Sequence, residues 1–422
     1  MWYLQSITSD IDIQLKDIRN GKKKMGKSRL VIFPTLFILL FVYGVVVGHY
    51  QIFPFDELSD LKFFLSQTEP VISPDRPQIY DNAQNISKRI TINSENDLIK
   101  KRDKLIDYIW MGDGFPSQFP DHVDMNISPN GYQDIKNLER IDSFTINMDF
   151  GKYEDKVFLN KDMEMNSIAY LFTPVVSNKK LIIFHQDELG GSDELDFLEE
   201  KSKISMFLDN GISVLMFSMP GQGMNNEPVL EFERFGKLLL DSHNHFILID
   251  NEYFHPVKFF VEPIIVSLNY IEQNFDYDDY YMFGISGGGW TTTLTSALDH
   301  RISKNYSIAG SFPLYMKSDR LNFGDYEQSN PELYSIATYE ELYIMSSFYT
   351  DQRSVQIFIY NDPCCFQAEL YEKFPYGDAI QDQLDILGGG GKFSVFLDSS
   401  TRMHEVSDHA LSLVLDDMLN RD

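Results

Sequence analysis

Residues 280–300 read YYMFGISGGGWTTTLTSALDH. The pattern changes inside this stretch, and that change decides how the rest of the chain is read. An aromatic, apolar run suited to a buried strand ends in Gly284-Ile285-Ser286-Gly287-Gly288, and a helical stretch follows from Trp290. A serine at a tight strand-to-helix turn occupies a strained backbone, with its hydroxyl lifted above the sheet. Glycines two residues to either side let neighbouring chains come close. The helix that starts there brings N–H groups and a positive dipole end near the reacting oxygen. Ser286 is therefore the candidate nucleophile. The plainer alternative is a glycine-rich turn whose serine only caps a helix.

Outward from this point, short apolar runs recur from about residue 140. IDSFTINMDF (141–150) and MNSIAYLFTPV (165–175) stand close together, as antiparallel neighbours do. KLIIFH (180–185), SVLMFSM (213–219), NYSIAGSF (305–312), VQIFIYN (355–361) and FSVFLD (393–398) are mostly separated by helical intervals. That alternation predicts an α/β domain over 140–422, with a mainly parallel sheet and helices on both faces. GGGGK (388–392) is no phosphate cradle, because a helical stretch precedes it, a strand follows it, and Phe393 stands where Ser or Thr is needed. It reads as a flexible turn.

A serine hydroxyl needs a base, and the base needs an orienting carboxylate. Of nine histidines, His404 falls in the loop between the last strand and a last helix capped by Ser407, whereas His409 falls in that helix's first turn. His404 is the preferred base. Asp362 stands at the carboxyl end of VQIFIYN with Pro363 behind it, and is the preferred acid over Asp325, Glu327 and Asp351. Two backbone N–H groups must hold the developing oxyanion. Gly287 should supply one, and Gln186 or Asp187, in the loop after LIIFH, the other. His185 itself reads as a packed strand-end side chain.

Four blocks together resemble the α/β-hydrolase superfamily: LIIFHQ with its glycine-bearing loop, FSMPGQG (217–223), GISGGGW (284–290), and the Asp362 and His404 positions. The resemblance implies an eight-stranded, mostly parallel sheet. It also implies hydrolysis of an ester or related bond through an acyl-enzyme, with the order Ser286, Asp362, His404 and without metal or organic cofactor. Two positions depart from the family pattern. Ser218 replaces a frequent Asp, and Gln186 replaces the Gly that usually follows the third strand's His. An acyltransferase on the same fold and a non-catalytic binding protein are the rival readings. Substrates would be small-molecule, saccharide or lipid esters. Residues 313–354 form a tyrosine-rich insertion (Tyr315, Tyr326, Tyr334, Tyr339, Tyr343, Tyr349) that either caps the site or fills the core.

The formal charge of −27 disfavours nucleic acid as a partner. The two cysteines, Cys364 and Cys365, are adjacent and read as small apolar residues near a strand end. Asn85, Asn126 and Asn305 begin Asn-x-Ser strings, read as chance. Residues 30–48, LVIFPTLFILLFVYGVVVG, are 19 uncharged residues preceded by KKKMGKSR. As a helix they span about 28 Å. They predict an uncleaved single-pass transmembrane helix, with a basic arm (1–29) in the cytoplasm and the rest outside. Residues 49–139 then read as a juxtamembrane stalk with an amphipathic helical segment.

Overall fold

A computed structural model of the chain describes residues 43, 86, 88–132, 134–150, 157–158, 164–186, 194–232, 236–314, 324–360, 362–364, 366 and 375–421. The chain divides into compact units at 1–77 and 78–422. Apart from Tyr43, the segment read as transmembrane lies outside the described residues. Among the described residues no helix is long and apolar enough to cross a membrane.

The elements of the second unit, in order, are α1 (Glu95–Ile109), β1 (His122–Ile127), β2 (Leu138–Asp149), β3 (Val157–Phe158), β4 (Glu164–Pro174), β5 (Lys180–His185), α2 (Glu194–Asp209), β6 (Ile212–Phe217), β7 (Val229–Phe232), β8 (Gly236–Leu239), a 3₁₀ turn (His243–Leu248), α3 (Lys258–Asn274), β9 (Asp279–Ile285), α4 (Gly287–Leu298), β10 (Ile302–Ile308), α5 (Tyr326–Ser329), α6 (Pro331–Ile336), α7 (Tyr339–Met345), β11 (Arg353–Ile359), α8 (Pro375–Leu387), β12 (Lys392–Asp398) and α9 (Asp408–Met418). The main sheet runs β1-β2-β4-β6-β5-β9-β10-β11-β12, and β3-β7-β8 form a small second sheet. From β6 to β12 every neighbouring pair is parallel, while β1, β2 and β4 are antiparallel at the other end.

All eight apolar runs read from the sequence are strands of this sheet. The expected count of eight is corrected to nine, because β1 adds an antiparallel edge beside β2. Its residues, HVDMNI, are mostly exposed, so there was no apolar alternation to betray it.

Side-chain alternation divides the core as period two requires. Leu181, Ile183 and Met282 face a cluster that includes α1, α3, α4, α7 and α8. Ile182, Phe184, Tyr281 and Phe283 face the other cluster, with α2 and α9. Helix α1 forms as its pattern predicted, with Ser94 capping it and Leu98, Leu105, Ile106 and Ile109 buried. It packs into the core of the second compact unit, which runs over 78–422.

Helix α4 is an unfavourable helix held by its surroundings. Three glycines open it, each costing about 1 kcal/mol against Ala, yet all of its residues are buried. Its hydroxyls need partners there, and Thr291, Thr292 and Thr293 donate to the carbonyls of Gly287, Gly288 and Gly289 at 3.0, 2.8 and 3.3 Å. The described part of the insertion, α5 to α7, packs into the same cluster. Tyr326, Tyr339 and Tyr343 are buried, so these rings fill the core; Tyr315 lies outside the described residues. A capping box at Thr338 and Glu341 starts α7. Glu341 also accepts from the Thr91 amide at 2.7 Å and pairs with Lys101 of α1 at 3.0 Å.

One smaller reading changes. The Gly388–Gly391 turn is closely packed rather than loose, since a Cβ on Gly389 would lie 2.2 Å from Phe348 O. Asn305 is fully buried and donates to Ser346 O at 3.0 Å, so it is inaccessible to a glycosylating enzyme.

Removing residues 1–77 should leave the thermal unfolding midpoint of 78–422 within a few degrees of the full chain. Removing residues 1–110 should abolish the cooperative transition. Each fully buried Leu or Ile lost with α1 forfeits roughly 1.5–3 kcal/mol, against a typical whole-domain stability of about 5–15 kcal/mol. A folded 111–422 chain would return α1 to the status of an appendage.

Candidate active site

Ser286 occupies the turn between β9 and α4 with φ 54° and ψ −122°. A non-glycine residue at positive φ costs on the order of 1–3 kcal/mol and persists only where its surroundings impose it. They do so here through packing that only glycine permits. A Cβ on Gly284 would lie 2.4 Å from Gly288 O, and one on Gly288 would lie 2.3 Å from His185 O. One on Gly310 would lie 2.4 Å from the Cα of Gly289. The turn is tied at both ends, with Ser286 N donating to Ile308 O at 2.9 Å and Trp290 N donating to Ser286 O at 3.0 Å.

Strands β9, β10, β11 and β12 are parallel neighbours. The residues that follow them therefore lie at one carboxyl edge, where open α/β sheets bind ligands. Asp362 comes just after β11 and His404 in the loop after β12. The structure brings these two together. His404 Nδ1 lies 2.9 and 3.1 Å from the two carboxylate oxygens of Asp362. An ionised carboxylate can only accept, so Nδ1 carries the hydrogen and Nε2 is the basic nitrogen. Asp362 is buried and also accepts from Cys364 N at 2.8 Å. The His404 loop is fixed at its base: Asp398 accepts from Ser400 N at 2.9 Å and from the Ser407 hydroxyl, and Ser407 caps α9 by accepting from Ala410 N at 3.0 Å. His409 sits in the first turn of α9 with its ring 5.5 Å from Phe396. Cys364 is disulfide-bonded rather than a free thiol. Cys365 lies outside the described residues.

Gly287 is the first residue of α4, where a helix leaves its N–H groups without intrahelical acceptors. Gln186 does not match its expected role. Its N–H donates to Phe217 O at 3.0 Å, and its side-chain oxygen accepts from Ser218 Oγ at 2.8 Å. Both groups join the ends of β5 and β6, a use that a one-dimensional reading had no means of seeing. Asp187, the other candidate, lies outside the described residues. His185 packs as expected, stacked on Phe217 with Nδ1 3.1 Å from Gln186 O. Burial first, and a charge on His243 in addition, push its pKa down to about 4. Burial pushes His300 down to about 4 as well.

Two neighbours of the turn were not foreseen in their observed places. The Met219 methyl covers the Cα of Gly287, where a Cβ would come within 2.4 Å of it. Glu327 was considered as a rival acid, but it lies beside Gly287 and His243 instead of His404. Its GDYEQ setting gave no sign of that.

No protein-family model and no curated protein sequence matches the chain. Among solved structures, a methylesterase superposes with TM-score 0.51 at 14% identity, over 81% of this chain and 65% of its own length. An acetyl xylan esterase from Thermoanaerobacterium sp. JW/SL YS485 (TM-score 0.47, 14% identity, 80% and 98% covered) and a glucuronoyl esterase from Solibacter usitatus (0.46, 12%, 76% and 91%) are also similar. At 14% identity the likeness to the methylesterase shows the fold alone. The chain has the α/β-hydrolase fold, with its mostly parallel central sheet and flanking helices.

The buried histidines make stability depend on pH in a definite direction. With pKa values lowered from 6.5 to about 4, His185 and His300 bind fewer protons folded than unfolded. Their contribution is complete above pH 6.5 and is lost as pH falls towards 4. For His185 alone the loss is roughly 3 kcal/mol. Urea unfolding at pH 7, 5.5 and 4.5 should show a steeper acid decline for wild type than for His185→Gln. Parallel declines in the two proteins would remove His185 as a source.

Proposed function

We propose that this chain is a serine hydrolase of carboxylic esters, working through Ser286, His404 and Asp362. The observation that carries the reading is the Asp362–His404 hydrogen bond, at the same carboxyl edge as the strained Ser286 turn. In the proposed reaction, His404 Nε2 takes the proton of Ser286 Oγ as the oxygen attacks the ester carbonyl. Asp362 holds Nδ1–H and stabilises the imidazolium. The Gly287 N–H faces the developing oxyanion, with a second donor drawn from the loop at 187. His404 then protonates the departing alcohol. Water attacks the acyl-Ser286 ester by the same route, releasing the acid and restoring the enzyme.

The structurally similar methylesterase is named for methyl esters, so short alkyl and acyl esters are the first substrates to offer. A fluorophosphonate probe should label the wild type and leave Ser286→Ala unlabelled. Asp362→Asn should lower kcat on p-nitrophenyl acetate by about 10³–10⁴-fold, because the amide favours the wrong imidazole tautomer. Folded wild-type protein that resists the probe would turn the reading towards a binding protein.

The same proposal places residues 30–48 in a membrane, with 1–29 in the cytoplasm and the hydrolase unit outside. Support comes from the uncharged run and the basic residues before it. The full chain should stay in the pellet on alkaline carbonate extraction, and Leu39→Arg with Leu40→Arg should release it. Release of the unaltered chain would remove the anchor.

A further inference from the structure

Glu327 is fully buried, and among the described residues neither of its carboxylate oxygens accepts a hydrogen bond. Leaving a carboxylate so placed costs several kcal/mol unless a neighbour compensates it. The backbone around it is held in place: Tyr326 OH donates to Asp250 at 2.8 Å, Asn244 donates to Asp325 at 2.6 Å, and Tyr334 OH lies 3.2 Å from Glu327 O. One oxygen of Glu327 lies 3.6 Å from His243 Nδ1, and both side chains are out of contact with solvent. The other lies 3.9 Å from where a Cβ on Gly287 would sit.

Two contacts of His243 bear on its protonation. Its Nε2 lies 3.2 Å from Pro220 O, and a carbonyl can only accept, so Nε2 carries a hydrogen. In the neutral ring Nδ1 would then direct a lone pair at an anion. The contact becomes attractive once one proton is shared between Nδ1 and the carboxylate. In water the imidazole is the more basic of the two groups, which favours placing that proton on Nδ1. The ring is stacked on Phe246 and meets the edge of Phe260, an apolar setting in which an uncompensated charge acts strongly. His185, the other imidazole nearby, is kept neutral by burial and by the charge on His243.

We infer that His243 and Glu327 form a buried imidazolium–carboxylate pair with no net charge, and that this neutrality is required beside the Gly287 amide where oxyanion charge develops. The inference rests on the hydrolase reading above. Both are positioning residues: neither touches the reacting atoms. An unneutralised Glu327 would set a negative charge against the oxyanion and weaken the N–H that holds it.

A double-mutant cycle on p-nitrophenyl acetate hydrolysis tests this, with thermal midpoints measured alongside. His243→Gln should lower kcat at least tenfold with KM within about twofold, because the loss falls on the transition state. Glu327→Gln, which stays neutral, should cost less than about threefold. The double variant should return to within about threefold of Glu327→Gln. A double variant no faster than His243→Gln, or a His243→Gln enzyme within twofold of wild type, overturns the inference. If His243→Gln does not fold, the imidazole ¹⁵N shifts decide. His243 protonated on both nitrogens at pH 7 in wild type, and on one in Glu327→Gln, supports the pair; a neutral ring in wild type overturns it. Should wild type resist the fluorophosphonate probe, the hydrolase reading has failed by itself, and the ¹⁵N shifts still report on the pair.

Discussion

The close approach of helix α4 to strands β5, β9 and β10 is the constraint on which the rest depends. The contact is backbone against backbone at Gly284, Gly288, Gly289 and Gly310, and a single methyl at any of them would overlap a neighbouring main-chain atom. That approach forces the chain to reverse within one residue, and Ser286 takes the positive φ that results. The strain at Ser286 and the glycines around it are thus one feature, because the packing that admits no side chain is what holds the serine in its unfavourable conformation.

The same constraint explains the surroundings of α4. A helix opened by three glycines and continued by three threonines has little stability of its own. It needs apolar partners all round and acceptors for its hydroxyls. The partners include α1, α3 and α7, and Thr291, Thr292 and Thr293 find acceptors in its own carbonyls one turn back. Trp290 illustrates the fit: its indole donates to Tyr334 OH at 2.6 Å, and Tyr334 meets Tyr339 OH at 2.7 Å. The tyrosine-rich insertion is in this way bolted to the nucleophile's helix. The same bolting carries Glu327 to its place beside Gly287.

How much was legible follows from which signals are local. The strand runs are apolar for six or more residues and could be read directly, and the amphipathic face of α1 was equally plain. Edge strand β1 was missed because one polar, solvated edge resembles a loop. That α1 packs into the core of the sheet's unit was not legible for a different reason. Periodicity shows that a helix has an apolar face and says nothing about what covers it. Gln186 failed because a backbone N–H has no sequence signature, and its engagement by Phe217 O depends on the parallel pairing of β5 with β6.

By itself the sequence determined the order of the eight apolar strands, the glycines at the turn after β9, and the presence of an aspartate and a histidine at two later strand ends. These are local properties, set by side-chain size, polarity and spacing. Only the tertiary structure decided that Asp362 and His404 meet, that Cys364 N shares the same carboxylate, and that Glu327 lies against His243 and not His404. Those facts depend on strand order across the sheet and on distances between residues dozens of positions apart, which the parallel pairing of β9 to β12 fixes.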